Sequence, residues 1–250
     1  MGESASKVID IIIPVFNEGE VIISTLRSLV KGVRRPFRVL ICYDFDEDTT
    51  LDAIRAEGSQ GVDVEFVRNQ GCGAHAAVLS GFSFSSSPFV LVFPADDNYN
   101  AGMLDTMFDM ADTGADIVCA SRFMTGGSMV GCPALKAVLV RLAALTMHKL
   151  GRLPTHDGTN GFRLFSRRLL NSVSIESSEG FTYSIELLAK CHRLGWRISE
   201  TPAQWHERSS GTSRFRVISW IPAYLRWYLY VFQTSWLRPA RMKVYRQENR

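Results

Sequence analysis

The chain has 250 residues, a formal net charge of +3, 46% apolar and 21% charged residues. That is ample for a large buried core, ordinary for a globular protein, and leaves no nucleic-acid footprint in the total charge. The cysteines (Cys42, Cys72, Cys119, Cys132, Cys191) are odd in number and scattered without a CxxC. They argue for reduced thiols in a cytosolic setting, and against a zinc site or a disulfide scaffold.

The opening "MGESASKVID" has no apolar core segment, so no signal peptide is expected; Gly2 with Ser6 fits only the loose myristoylation pattern. "VIDIIIPVF" (8–16) reads as a buried strand stopped by Pro14, and "EVIISTLRSLVKG" (20–32) as a helix with a terminal glycine. A strand at 37–43, a helix at 49–58, a strand at 62–68 and a helix at 73–85 follow. Next come a strand at 89–93, a helix at 102–114 and a strand at 116–123. The remainder is less regular: a glycine-rich loop at 125–133, a long helix at 134–151, then a turn, short strand and helix start over 156–170. A helix at 181–195 and a strand at 196–205 complete it.

Strands alternating with helices predict an α/β fold with a mostly parallel central sheet flanked by helices. Ligands of such sheets bind beyond the carboxyl ends of the strands, at the switch point. Asn17, Asp44, Asp46, Asp48 and Asp96 all fall just after strands, so polar groups converge on one sheet edge.

In "VLVFPADDNYN" (90–100) a strand ends in Asp96, Asp97 and Asn98. Oxygen ligands of this kind suit magnesium or manganese, and Asp96 and Asn98 can face the same way in an extended turn. The plainer reading is a cap on the helix that begins near Ala101. Convergence of the other acids favours metal or substrate binding. In "YDFDEDTT" (43–50), Asp44 lies nearest the strand and is expected to meet a nucleotide; Asp48 would cap a helix and Glu47 would be solvated. "NQGCGAH" (69–75) is either a phosphate cradle or a tight turn; it lacks the Walker lysine. Arg122, Arg163, Arg208 and Arg214 add guanidiniums suited to phosphate oxygens. Acids for a metal and arginines for phosphate together point to a diphosphate-bearing substrate.

The order of motifs resembles the family 2 glycosyltransferases of the GT-A fold, most closely the dolichol-phosphate mannose synthase branch and its polyprenyl-phosphate relatives. The likeness covers roughly residues 8 to 216. It rests on "IIIPVFNE", "YDFDEDTT", "NQGCGAHAAVLSGF", "ASRFMTGG", "HDGTNGFRLFSR" and "EGFTYSIELLAKCHRLGWRISETPAQWHERSSGTSRF", with "PADDN" where the branch carries D-A-D-x-Q. Pro94 stands in place of that motif's first Asp. The resemblance implies a single GT-A (Rossmann-like) catalytic domain over 1–216. Pro14, Phe16, Glu18 and Asp44 would hold the nucleotide, and Asp96 and Asn98 a Mg2+ or Mn2+ ion. Asp97 would supply an extra carboxylate at the donor site. Arg208 would contact the donor diphosphate, and Arg122 with Lys136 an acceptor phosphate. Ser213 and Arg214 would lie in a closing loop.

The implied reaction moves a sugar, with inversion, from a nucleotide-sugar (GDP-mannose or a UDP-hexose) to a polyprenyl or dolichyl phosphate. The diphosphate's growing charge would be stabilised by metal and arginines. A hydroxyl acceptor needs a general base, and the E-D pair that would supply it is missing from "SEGFTYSIE", where Glu179 is shifted and Glu186 reads as structural. A hydroxyl of a glycan or small acceptor is the alternative substrate. A degenerate nucleotide-sugar-binding protein, motivated by Pro94, is the alternative to an enzyme.

Residues 217–250 read as an amphipathic aromatic helix and a basic tail. "VISWIPAYLRWYLYVF" (217–232) falls short of the ~20 residues that cross a bilayer. Trp220, Tyr224, Trp227 and Tyr228 form one aromatic side, and Arg238, Arg241, Lys243, Arg246 and Arg250 follow. The helix either lies in a membrane interface or packs on the catalytic domain or in a dimer contact. A cytoplasmic protein, peripheral on the membrane's cytoplasmic face, is the expectation.

Overall fold

The computed structural model describes residues 9–207 and 217–236, with side chains from 222 onward in the second stretch. The strands are β1 (Ile9–Pro14), β2 (Phe37–Tyr43), β3 (Asp63–Arg68), β4 (Phe89–Val92), β5 (Ile117–Ser121), β6 (Ser128–Val130), β7 (Arg163–Ser166), β8 (Ile198–Pro202) and β9 (Gln204–His206). The helices are α1 (Ile22–Gly32), α2 (Thr49–Glu57), α3 (Gly73–Phe84), α4 (Leu104–Asp112), α5 (Ala134–Lys149), α6 (Arg167–Ser172), α7 (Thr182–Leu194) and α8 (Val217–Trp236).

Seven strands form one sheet in the order β3-β2-β1-β4-β7-β5-β8. All neighbours are parallel except β7, which runs antiparallel between β4 and β5. The chain steps outward from β1 to β2 and β3, then crosses back to β4, so the order reverses between β1 and β4. That reversal opens a crevice at their carboxyl ends.

The apolar runs are continuous because both sheet faces are covered. Ile11, Ile13, Val39, Ile41, Leu91 and Phe93 enter one core layer with α1 and α4. Ile12, Leu40, Cys42, Val90 and Val92 enter the other with α3 and α7. Adjacent residues alternate faces, as a strand requires. Helix α3 sits so close to the sheet that a Cβ on Gly81 would lie 2.7 Å from Ile12 Cδ1 and 2.9 Å from Cys42 Sγ. Within the sheet, buried Asp10 accepts from Arg38 Nε and Nη2, both at 3.0 Å. Burial pushes the Asp10 carboxyl upward, but hydrogen bonds from Arg38, Ser85 and Ser87 outweigh it and hold the group below its usual range.

Three expectations change. The 125–133 segment is not wholly loop: β6 lies inside it and pairs parallel with β9. The strand expected over 196–205 splits at Ala203 into β8 and β9, which belong to different sheets. The C-terminal helix runs through to Trp236, and three residues of its aromatic side, Tyr224, Trp227 and Tyr228, face inward. Trp227 is buried, Tyr224 and Tyr228 are half-buried against the α3–α7 core layer, and Tyr224 Oη accepts from Phe181 N at 3.2 Å. For these three side chains, packing on the catalytic domain replaces exposure at a membrane. Trp220 and the basic tail lie outside the described side chains.

Candidate active site at the carboxyl edge of the sheet

The β1 and β2 loops are tied together. Asn17 takes a left-handed conformation (φ 56°), and its N–H donates to both Asp48 oxygens at 3.0 Å. Asp48 Oδ1 also accepts from Thr50 N at 2.9 Å, capping α2, and Glu18 N donates to Thr50 Oγ1 at 2.9 Å. Asp48 is fully buried and structural, as its capping role implied. The tie aims the 14–18 segment across the crevice mouth: Phe16 is 44% exposed there, its ring edge-on to Phe45 at 5.3 Å. Pro14 and Glu18 are half-buried beside it.

Asp44 is half-buried at the end of β2. Its Oδ1 accepts from Asn69 Nδ2 at 2.6 Å, and its Oδ2 from Gly73 N at 2.8 Å. Asn69 Oδ1 in turn accepts from Gly71 N at 2.9 Å. The glycine-rich segment is therefore a tight turn whose N–H groups at Gly71 and Gly73 are spent internally. Asn69, which the sequence did not single out, organises it. Asp46 pairs with Arg68 on the surface, and Glu47 is exposed as expected.

The acids after β4 divide their roles. Asp97 Oδ1 accepts from Tyr99 N (3.0 Å) and Asn100 N (2.9 Å), and Oδ2 from Asn100 Nδ2 (2.6 Å). Asp97 is the turn cap, its carboxylate oxygens taken up by Tyr99 and Asn100. Burial lifts its carboxyl above the usual range, against the hydrogen bonds from Asn100 and Tyr99, and the charge of Asp96 adds to the rise. Buried Asn100 then latches this loop to β9, donating to Gln204 O (2.7 Å) and accepting from Gln204 N (2.8 Å). Asp96 is half-buried and Asn98 exposed.

The latch brings in a group that sequence reasoning missed. His206 of β9 stacks on Tyr99 with ring centroids 4.2 Å apart. Its Nε2 is buried and has no hydrogen-bond partner among the described residues. The oxygen donors of Asp96 and Asn98 are of the kind that suits manganese or magnesium, and His206 lies in the segment latched beside them. Among the described residues, no group of three or more His, Cys, Asp and Glu converges as a closed metal cage.

Across the crevice, Arg122 is committed to Asp157. Nε donates to Oδ2 at 2.7 Å, Nη2 to Oδ1 at 3.0 Å, and Nη2 also to Thr159 Oγ1 at 2.7 Å. Burial pushes the Asp157 carboxyl up, but the charge and hydrogen bonds of Arg122 prevail and hold it below the usual range. Lys136, in the first turn of α5, pairs with Glu207 at 3.3 Å and lies 4.9 Å over the Trp205 ring. Arg163 does not reach the edge at all: it is fully buried, with Nη1 on Ser184 O and Nη2 on Asp157 O. Arg208, Ser213 and Arg214 lie outside the described residues.

Glu186 is also accounted for. It is fully buried, accepts from Glu176 N (2.7 Å) and Ser177 N (2.8 Å), and pairs with buried Lys190 at 2.6 Å. It is structural, as the sequence indicated.

Residues 10–174 match the model of the family described as glycosyl transferase family 2. The polyprenol monophosphomannose synthase of Mycolicibacterium smegmatis is 27% identical over 215 residues, covering 82% of this chain and 79% of that protein. The dolichyl-phosphate hexose transferase of Haloferax volcanii is 28% identical over 203 residues, covering 81% and 84%. A crystal structure of glucosyl-3-phosphoglycerate synthase from Mycobacterium tuberculosis, with Mn2+, uridine diphosphate and glucosyl-3-phosphoglycerate, is similar in fold. Its TM-score is 0.64 at 18% identity, over 94% of this chain and 82% of that one.

Proposed function

Because the chain belongs to glycosyl transferase family 2, and is a glycosyltransferase, we propose that it moves a hexose from a nucleotide-sugar to a polyprenyl phosphate at a membrane surface. The observation that carries this is likeness along four-fifths of the chain to two enzymes named for polyprenol and dolichyl phosphate. The burial of Glu186 supports it: that carboxylate is bound to Lys190 and two backbone N–H groups and is in no position to deprotonate a hydroxyl. A phosphate acceptor is already an anion and needs no base.

In this reading the nucleotide lies along Pro14, Phe16, Glu18 and Asp44, with Asp44 held rigid by Asn69 and Gly73. Asp96 and Asn98 would hold a divalent cation, with His206 as a further candidate ligand, and the cation would supply charge neutralisation on the departing diphosphate. Arg208 meets the same diphosphate. Arg122 offers the acceptor phosphate its Nη1 side, since Asp157 and Thr159 take Nε and Nη2. Lys136 lies at the head of α5 as a second cation. The phosphate oxygen attacks the anomeric carbon opposite the leaving diphosphate, giving inversion.

The test is incubation of the full chain with radiolabelled GDP-mannose or UDP-glucose, manganese and a polyprenyl phosphate. An acid-labile lipid product from one donor supports the reading. Release of nucleoside diphosphate with label only in an acid-stable glycoside overturns it.

A further inference from the structure

Helix α5 is long, but only Ala144 and Met147 along it are buried. Leu135, Val138, Leu139, Leu142 and Leu145 are exposed by 74, 61, 53, 55 and 54%. Their spacing places them along one stripe, the pattern of a helix built to bury a face. Among the described residues nothing covers this stripe. So large a contiguous apolar surface marks an interaction site.

The stripe does not stop at the end of α5. Trp236 Nε1 donates to Leu150 O at 2.6 Å, so the ends of α5 and α8 lie side by side, and Leu150 and Trp236 are exposed by 50 and 68%. Thr146 and Tyr228 join the helices again through their hydroxyls at 2.8 Å. On α8, Leu225 and Leu229 are exposed while the aromatic side faces the core.

Charge selects the occupant. Between Asp116 and Asp157 the sequence has no acidic residue, while Arg122, Lys136, Arg141, Lys149 and Arg152 fall inside that interval. From Glu207 to Glu248 there is again no acid, and the arginines and lysines are numerous. Arg141, Lys149 and Arg152 are exposed beside the leucines. Leucines flanked by cations and closed by a tryptophan match the boundary of an anionic bilayer. A second copy seated on the same face would set exposed Arg141, Lys149 and Arg152 against like charges, which costs rather than stabilises.

We propose that the leucine stripe of α5, continued at Leu150 by Trp236, is the surface on which this protein rests on an anionic lipid bilayer. The choice of a bilayer rests on the polyprenyl-phosphate reading, because such an acceptor lives in one. The stripe then lays the head of α5, where Lys136 sits, against the lipid phosphates. Among the described residues no helix is long and apolar enough to cross a membrane.

The test is co-sedimentation of the full chain with vesicles of phosphatidylcholine, alone or mixed with phosphatidylglycerol, for wild type and the Leu139→Glu/Leu142→Glu double variant. Wild type is expected to bind the mixed vesicles more than the neutral ones, and the variant about tenfold less or weaker still. Circular dichroism of the variant should be unchanged, since both side chains are exposed, and it should retain activity on a short, water-soluble prenyl phosphate. Failure of the wild type to bind mixed vesicles, or equal binding by the variant, overturns the proposal. So does a wild-type dimer that the variant dissociates in light scattering. If the variant loses vesicles yet no prenyl phosphate accepts sugar from wild type, the docking surface stands and the acceptor reading falls.

Discussion

Arg122 closes on Asp157 edge to edge, two N–H groups against two carboxylate oxygens at 2.7 and 3.0 Å, with Asp157 wholly buried. This pair joins the end of β5 to the turn before β7. Removing Asp157 leaves the Arg122 guanidinium, only 10% exposed, without its carboxylate partner. Asp157→Ala is expected to cost about 3–5 kcal/mol of stability, read from the urea midpoint, and to lower transfer at temperatures where the fold survives.

The same carboxylate sets a pH dependence. Asp157 and Asp10 are both held below the usual carboxylate range in the folded state, through Arg122 and Arg38 respectively. A depressed folded-state value adds stability above the unfolded-state value and loses it as pH falls toward the folded-state one. Asp97, held above its usual range, acts in the opposite sense. Stability should therefore hold through neutral pH and fall only as the medium drops below the ordinary aspartate range. Arg38→Met should abolish Asp10's share of that fall in urea titrations across pH.

Asp97 caps its turn, while the proposed metal role falls to its neighbour Asp96. Asp96→Ala is expected to abolish transfer and manganese-dependent donor binding. Asp97→Ala is expected to lose about 1 kcal/mol through its turn while retaining measurable manganese binding. Calorimetric titration of donor with and without manganese reads both. Equal loss of metal dependence in the two variants would contradict this division.

His206→Ala tests the unspent imidazole nitrogen. Manganese affinity in the presence of nucleoside diphosphate should weaken by at least about tenfold. Stability should fall by about 1 kcal/mol through the lost stacking on Tyr99, while no hydrogen bond to Nε2 is lost among the described residues.

Gly81→Ala tests the seat of α3 on the sheet. The added methyl would meet Ile12 and Cys42, both fully buried. Overpacking at such a contact costs about 1–3 kcal/mol, visible as a lower melting temperature with unchanged donor affinity.

The sequence alone determined the element order and the edge of the sheet where chemistry belongs. Strand and helix periodicities are local, so β2 falls where 37–43 was expected, and glycine or proline marks most helix ends. The acids after β1, β2 and β4 were legible as a converging set for the same reason. What each carboxylate is spent on was not legible, because its partners arrive from elsewhere in the chain. Asp48 is met by Asn17, Asp157 by Arg122, and Asp97 by a turn that Gln204 latches from β9. Nor could periodicity say which helix faces outward. The aromatic side of α8 and the leucine stripe of α5 carry the same signal, that a face exists to be buried. Tertiary packing turned the first onto the protein's own core and left the second to solvent, because only the folded chain decides which apolar faces find a protein partner.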